Sequence, residues 1–285
     1  MEDRDVLTRT SELPDAVLRY GDHSDAVIDV HLPPRSLPPR SLPPRSLPPR
    51  SLPTRSNGEP RSASPLIVLI HGGFWHADYD RMHTRPLANA LAAEGFVVAS
   101  PEYRRVGGGG DLAGGWPTTF DDMSAVMESL PGFLDELDIA VSRTTVMGFS
   151  AGGHLALWLA NEPHSVDRVI GLAPVGDVHA AAEAHLGGDA VHALLCGSPS
   201  QVPDRYDAVD PAIRLATPPS CDVVVIHGVD DDIVPVENSR GLGAKHPFVV
   251  IHELEGIEHF ALIDPLSAAW PVVRASAAAE AIDLG

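Results

Sequence analysis

Three stretches of the chain carry side chains that together could hydrolyse an acyl bond. Ser150 lies in GFSAG, residues 148–152, which fits the pattern G-x-S-x-G between a β-branched run and an Ala- and Leu-rich stretch. The run Asp230–Asp232 follows another apolar stretch, and His259 comes after it in the chain. A serine hydroxyl needs a base to take its proton and a carboxylate to orient that base. The order Ser, Asp, His therefore predicts a nucleophile elbow at Ser150 followed by its acid and its base.

Each stretch also has a simpler explanation. Ser150 could serve only as the N-cap of a helix after a tight glycine turn. His252 competes with His259 as the base, but it lies in the alternating stretch FVVIHELE, which is typical of a half-buried strand residue. The Asp run lacks the EF-hand spacing, and the His259 region lacks the H-E-x-x-H spacing of zinc sites. We therefore predict no metal and no cofactor.

The elements between these stretches alternate between strand and helix. Strands are predicted at 66–70, 96–100, 144–147, 168–173, 222–227 and 248–254, and helices at 85–94, 120–137 (interrupted at Pro131-Gly132), 151–161 and 236–245, before a long Ala-rich C-terminal helix. This alternation indicates an α/β fold with a doubly wound, mostly parallel sheet, to which Ala26–His31 adds an antiparallel edge strand. Ligands bind beyond the carboxyl ends of such strands, where Ser150, the Asp run and His259 all fall.

The chain is predicted to form one domain with one insert. Residues 1–31 form an N-terminal edge segment, and residues 57–285 form the main domain. Within it, 176–220 form a small irregular cap with short helical pieces around 178–185 and 210–215. Between them, residues 32–56 repeat LPPRS four times and then read LPTRS. Prolines at this density favour solvated polyproline II, so we predict a disordered spacer. Binding of the tract to an aromatic-lined groove is the alternative.

Charge and composition exclude several partners. The chain carries 39 acidic against 20 basic residues, a formal net charge of −19, which would repel nucleic acid and anionic membranes. Its two cysteines, Cys196 and Cys221, are too few for a disulfide framework. The acidic N-terminus has no apolar signal-peptide region, and the apolar runs are strand-sized, so we expect a cytoplasmic protein.

Four motifs in order, HGGFW, GFSAGGHLA, HGVDDDIVP and EHFALID, resemble those of the α/β-hydrolase superfamily, and more closely its esterase and kynurenine-formamidase-like branch. The resemblance covers residues 66–265. It implies the α/β-hydrolase fold and a serine hydrolase that cleaves small acyl or aryl esters through an acyl-enzyme. Arylformamide hydrolysis is the nearest alternative. A small ester or amide is then the partner, and a peptidase or a non-catalytic scaffold that uses the Pro/Arg repeat are less favoured.

The resemblance also assigns residues. In the family pattern H-G-x-x-D-x-x-V-P the acid is the fifth residue, Asp231, so the implied catalytic residues are Ser150, Asp231 and His259. Attack of the serine on a carbonyl creates an oxyanion, which needs hydrogen-bond donors. An elbow supplies the N–H of Ala151 to this oxyanion, and likeness to HGG-type hydrolases adds the N–H groups of Gly73 and Phe74. We interpret His71 as a hydrogen-bonding residue that shapes this loop. The expected pocket wall is aromatic and comprises Trp75, Trp116, Phe149 and Phe260.

Overall fold

One mixed sheet organises the part of the chain that the computed structural model describes, residues 4–34 and 63–280. Its strands are β1 (Ala16–Arg19), β2 (Val27–His31), β3 (Ser64–Ile70), β4 (Val97–Pro101), β5 (Val141–Phe149), β6 (Arg168–Leu172), β7 (Asp222–Gly228) and β8 (Val250–Leu254). They lie in the order β1-β2-β4-β3-β5-β6-β7-β8. β2 pairs antiparallel with both β1 and β4, whereas the pairs from β4 to β8 are parallel. The predicted mostly parallel α/β sheet is thus confirmed.

Helices cover both faces of this sheet. They are α1 (Arg85–Ala93), α2 (Thr118–Glu136), α3 (Ala151–Leu159), α4 (Val178–Glu183), α5 (Leu186–Leu195), α6 (Pro203–Val209), α7 (Pro211–Arg214), α8 (Glu237–Lys245) and α9 (Trp270–Ala278). Short 3-10 turns lie at Asp5–Thr8, Arg81–Thr84, Gly110–Leu112 and His259–Ile263. One core cluster contains side chains of α2 and α3, and the other contains side chains of α1 and α9.

Strand β3 illustrates why the sheet is buried on both faces. Leu66, Val68 and Ile70 belong to one core cluster, and Ile67 and Leu69 belong to the other. Successive side chains of a strand point to opposite faces, so a continuous apolar run fits a sheet covered on both sides. This run carries the chain to the carboxyl edge of the sheet, where His71 begins the next loop.

Several elements differ from the prediction. The helix predicted to break at Pro131-Gly132 is continuous in α2, because its buried face, which includes Met127, Leu130 and Leu134, continues past the proline. β2 is not the edge strand; β1, which was not predicted, pairs outside it. The C-terminal helix α9 ends at Ala278, and Ala279 adopts a left-handed conformation. The segment 176–220 contains four short helices, α4–α7, where two helical pieces were predicted.

Residues 35–56 of the predicted LPPRS insert lie outside the described residues, and only Leu32–Pro34 of it are described. Within residues 4–34 and 63–280, no helix has both the length and the apolar character needed to cross a membrane.

Candidate active site

Ser150 lies at a sharp turn between β5 and α3. Its backbone has φ 55° and ψ −117°, a conformation that costs energy in a residue with a side chain. Neighbouring strands hold this turn, because the Ser150 N–H donates to the carbonyl of Leu172 at 2.8 Å. Ser150 occupies the N-cap position of α3, but its side chain makes no capping hydrogen bond. Capping of α3 therefore does not explain the strain at this turn.

The glycines of the motif are needed because backbone segments meet at the turn. A Cβ at Gly148 would lie 2.0 Å from the carbonyl oxygen of Gly152. A Cβ at Gly152 would lie 2.2 Å from the carbonyl oxygen of Ile70. Side chains cannot fit at these distances, so the two glycines let β5, α3 and β3 converge beneath Ser150.

Asp231 and His259 form a buried pair beyond the ends of β7 and β8. His259 Nδ1 lies 2.6 Å from Asp231 Oδ2, and the two residues are 2% and 7% exposed. The other carboxylate oxygen, Oδ1, accepts hydrogen bonds from the N–H groups of Ile233 and Val234 at 2.9 and 2.8 Å. Asp230 and Asp232 are exposed. Of the three aspartates, the structure places Asp231 on the imidazole.

Burial and hydrogen bonding act in opposite directions on this pair. Burial would raise the pKa of Asp231, but hydrogen bonds from His227 and His259 outweigh it and lower that pKa well below its usual range. Burial lowers the pKa of His259, and the Asp231 carboxylate only partly offsets this effect. Because an ionised carboxylate only accepts, the Nδ1 of His259 carries the proton, and Nε2 of the neutral ring is its basic nitrogen.

His227 is a neighbour of this pair that the sequence prediction missed. It is fully buried, and its Nε2 lies 2.8 Å from the carbonyl oxygen of Val234 and 3.2 Å from Asp231 Oδ2. A carbonyl only accepts, so Nε2 bears the proton, and Nδ1 accepts from the Ser239 hydroxyl at 2.6 Å. The signal in the sequence was the i, i+4 spacing of His227 and Asp231 within HGVDDDIVP. The rival base, His252, is half-buried in β8, as predicted.

The loop after β3 brings backbone N–H groups close to Ser150. Gly73, Phe74 and Trp75 have φ values of 110°, 51° and 56° in succession. A Cβ on Gly72 would lie 3.0 Å from the Cβ of Ser150, so the loop touches the elbow. Within the described part of the chain, the N–H groups of Gly73 and Phe74 have no hydrogen-bond acceptor. Ala151 begins α3, where the first N–H groups also lack an intrahelical acceptor. These three N–H groups are available to an oxyanion.

The predicted pocket aromatics divide into two groups. Trp75 and Phe149 are each 1% exposed and pack in different core clusters, Trp75 edge-on against His154. The rings of Phe149 and Phe260 lie 4.6 and 5.3 Å from that of His259, so they hold the imidazole. Such packing explains these three residues without contact to a ligand.

Trp116 is the remaining predicted pocket residue, and it is partly buried beside the cap segment, residues 176–220. Its N–H donates to the carbonyl of Leu194 in α5 at 2.7 Å. Phe74, also partly buried, contacts the same segment, since a Cβ on Gly187 would lie 2.4 Å from its Cδ1. The cap segment thus packs against both the loop after β3 and the loop that carries Trp116. Among the described residues, no group of three or more His, Cys, Asp or Glu side chains could hold a metal ion.

Comparisons with known proteins agree with an ester-hydrolase scaffold. Residues 55–245 match the family model described as BD-FAE. Esterase LipC of Mycobacterium tuberculosis is 24% identical over 200 residues, 64% of this chain and 48% of LipC. The probable carboxylic ester hydrolase LipM of the same organism is 25% identical over 220 residues, 69% of this chain and 49% of LipM. The chain spans about half the length of these relatives.

Solved structures share the fold. A truncated carbohydrate esterase from gut microbiota superposes with a TM-score of 0.70 at 18% identity, covering 97% of this chain and 98% of that chain. Esterase B of Lactobacillus rhamnosis, inhibited by a phosphonate, has a TM-score of 0.68 at 15% identity and covers 93% and 85%. The propionate-bound esterase Est2 of Thermogutta terrifontis has a TM-score of 0.65 at 18% identity and covers 93% and 92%. The sheet therefore has the α/β-hydrolase architecture.

Proposed function

The chain belongs to the BD-FAE family, and from this premise we propose that it is a serine hydrolase that cleaves carboxylic esters of small acyl or aryl substrates. The observation that carries the proposal is the buried Asp231–His259 pair at the sheet edge where the strained turn presents Ser150. The curated relatives named as esterases support an ester as the substrate.

In the proposed acylation step, Ser150 Oγ attacks the ester carbonyl carbon while His259 takes the hydroxyl proton. Asp231 accepts from Nδ1–H and stabilises the imidazolium that forms. The N–H groups of Gly73, Phe74 and Ala151 stabilise the negative charge on the carbonyl oxygen. Collapse of the tetrahedral intermediate breaks the bond to the alcohol oxygen, and His259 gives its proton to the leaving alcohol.

Deacylation repeats these roles with water as the nucleophile. His259 takes a proton from the water as it attacks the acyl-enzyme carbonyl, and the same N–H groups receive the second oxyanion. Collapse releases the carboxylic acid and returns the proton to Ser150. No group beyond the protein and water is required for the atoms and charges to balance.

The substrate pocket that we propose is smaller than the aromatic wall predicted from sequence. Trp116 remains as a wall and Phe74 joins it, and the cap segment packs against both, which favours short acyl or aryl groups. Arylformamides are the second candidate, because their cleavage uses the same oxyanion chemistry and because HGGFW and GFSAGGHLA resemble formamidase motifs.

A fluorophosphonate probe tests the proposed class, because it labels an activated serine. We expect the protein to be labelled and to hydrolyse p-nitrophenyl esters of short chains faster than N-formylkynurenine. Ser150→Ala should remove labelling and lower turnover by about 10⁶-fold, with an unchanged fold by circular dichroism. Failure of the parent protein to label, or substantial turnover by Ser150→Ala, would contradict the proposal.

A further inference from the structure

We propose that His71 is an imidazolium held by Glu102 and that it orients the oxyanion-hole peptide between Gly72 and Gly73. This inference rests on the proposed function. It makes His71 and Glu102 positioning residues, because neither contacts the reacting atoms.

His71 fixes the direction of the peptide bond between Gly72 and Gly73. His71 Nδ1 lies 2.8 Å from the carbonyl oxygen of Gly72. In a planar trans peptide, the carbonyl of one residue and the N–H of the next point in opposite directions. The hydrogen bond that fixes the Gly72 carbonyl therefore also fixes the direction of the Gly73 N–H, one of the donors assigned to the oxyanion.

Both ring nitrogens of His71 face hydrogen-bond acceptors. Its Nδ1 faces a carbonyl oxygen, and its Nε2 lies 2.7 Å from Glu102 Oε1. A carbonyl accepts only, and so does an ionised carboxylate. Both hydrogen bonds can form together only when both ring nitrogens carry protons, which makes the ring an imidazolium.

Glu102 is the ionised partner of His71. Its Oε1 accepts from the N–H of Tyr103 and pairs with Arg105, both at 3.1 Å, and its Oε2 accepts from the N–H of Arg81 at 3.1 Å. Burial would raise the pKa of Glu102, but the charges and hydrogen bonds around it, His71 first, lower that pKa to about 2. Apart from Nε2 of His71, every group that faces this carboxyl is an N–H donor or a cation, which stabilises the ionised carboxylate, so the shared proton belongs to His71.

The other groups around His71 do not compete for its proton. The Tyr103 ring stacks on it at 4.4 Å, and burial raises the pKa of that phenol far above neutrality. The His83 ring lies edge-on at 5.7 Å, and burial lowers the pKa of His83 to about 3, so it stays neutral. Arg81 and Arg105 approach the pair through Glu102, and Arg81 also contacts the buried Asp29 at 3.0 Å. Glu102 is thus the anion that directly faces the imidazolium.

Two substitutions at position 71 separate the two hydrogen bonds. In His71→Asn the amide can replace Nδ1 as donor to Gly72, and in His71→Gln the longer amide can replace Nε2 as donor to Glu102. We expect His71→Asn to keep kcat within about tenfold of the parent, because its amide keeps the hydrogen bond to the Gly72 carbonyl. We expect His71→Gln to lower kcat by about 10²-fold, as for loss of one oxyanion donor, with KM little changed. Equal losses of kcat in both variants would overturn the proposal.

Glu102→Gln tests the charge directly. An amide carries no charge to stabilise an imidazolium, so in this variant one ring nitrogen of His71 should be unprotonated, as read from its imidazole ¹⁵N resonances at pH 7. His252→Asn, a change at a histidine outside the site, is the matched control and should leave the His71 resonances unchanged. An imidazolium at position 71 in Glu102→Gln would overturn the inference.

A measurement on the unmodified protein keeps the test independent of folding and of catalysis. The imidazole ¹⁵N resonances of His71, assigned by their absence in His71→Asn, should show both nitrogens protonated at pH 7. An unprotonated ring nitrogen on His71 at that pH would overturn the proposal. If the protein hydrolyses no ester, the proposed function fails, whereas the ¹⁵N result still decides the charge of His71.

Discussion

At the scale of single residues, Asp231 is distinguished from its two neighbours by the number of donors around it. Four groups surround its carboxylate: the N–H groups of Ile233 and Val234 and the imidazoles of His227 and His259. Four donors stabilise an ionised carboxylate and fix its orientation. Asp230 and Asp232 extend into solvent from the same turn, so their replacement should have little effect on the imidazole.

The first prediction uses this difference. Asp231→Asn should lower kcat by about 10⁴-fold, because an amide can present the wrong hydrogen-bonding partner to His259. Asp230→Asn and Asp232→Asn are matched controls and should stay within about tenfold of the parent, roughly 1.4 kcal/mol. The measurement is kcat on one activated ester at one pH, with Tm recorded for each variant. A large loss of kcat in either control, or a nearly unchanged kcat in all three variants, would refute the assignment of Asp231.

The second prediction concerns pH. His259 must be neutral to take the serine proton, so activity rises as pH increases through the pKa of His259. Burial lowers that pKa below its usual 6.5, so the acid limb of kcat/KM should lie below pH 6.5. The Asp231 carboxylate raises the same pKa, so in Asp231→Asn the limb should move to still lower pH. Titration of released acid at constant pH measures both profiles, and a limb moving upward in the variant would contradict the stated cause.

At the scale of elements, the elbow depends on three segments of backbone that converge. Gly152→Ala would place a methyl group 2.2 Å from the carbonyl oxygen of Ile70, so β3 and α3 would have to separate. We expect this variant to lose about 1–3 kcal/mol of unfolding free energy and most of its activity.

Gly132→Ala provides the contrast to that prediction. Gly132 lies in α2, is exposed, and a Cβ there would meet no atom within 4 Å. Alanine in a helix should raise the unfolding free energy by up to about 1 kcal/mol and leave activity unchanged. Denaturant titration of both variants measures the difference; equal stability of the two would show that contact at the elbow is not tight.

Strands and motif loops could be predicted from sequence because their signals are local. The run Leu66–Ile70 is apolar on both faces, and G-x-S-x-G between strand and helix predicts a turn that the structure places at Ser150. α2 was predicted to break because proline removes one backbone donor, yet its packed face outweighed that loss. α5 was missed because His185, Gly187 and Asp189 adopt left-handed conformations, and contacts with Phe74 hold this segment.

The polar networks could not be predicted for a different reason. Glu102 meets His71 across 31 residues of sequence, and Ser239 meets His227 from another element. Neither pairing follows from spacing, because the sheet order brings their strands and loops together. The sequence placed His71 as a hydrogen-bonding residue of the loop, but its charge follows only from the groups that face both nitrogens.

At the scale of the whole molecule, the scaffold is shared more widely than the sequence. The carbohydrate esterase from gut microbiota superposes over 97% of this chain at only 18% identity. Such likeness shows the fold, whereas substrate choice depends on the loops that the fold carries. Here those loops are the loop after β3, the loop of Trp116 and the cap segment, which meet at Phe74 and Trp116. We therefore expect substitutions in α5 to change the preference for ester chain length more than substitutions in the sheet do.

The last prediction concerns the LPPRS tract and the distance of its attachment points from the site. β2 ends at His31, opposite Val98 near the start of β4, and Ser64 at the start of β3 pairs with Val141 at the start of β5. Both attachment points therefore lie at the amino ends of the parallel strands. Ser150 follows the carboxyl end of β5, so the length of β3, seven residues or roughly 23 Å, separates them.

Deleting residues 37–51, three of the LPPRS units, should therefore change kcat/KM by less than about twofold, or roughly 0.4 kcal/mol. Stability should change little, because the entropy of closing a loop grows only slowly with its length, about 0.6 kcal/mol for each doubling. A variant with these fifteen residues replaced by a Gly/Ser stretch of equal length separates the effect of loop length from that of the proline and arginine side chains. Kinetics on one ester and denaturant titration of all three proteins provide the comparison. A tenfold loss of kcat/KM in both variants would assign the side chains of the tract a role in catalysis. A tenfold loss of kcat/KM in the deletion alone would assign that role to the length of the tract.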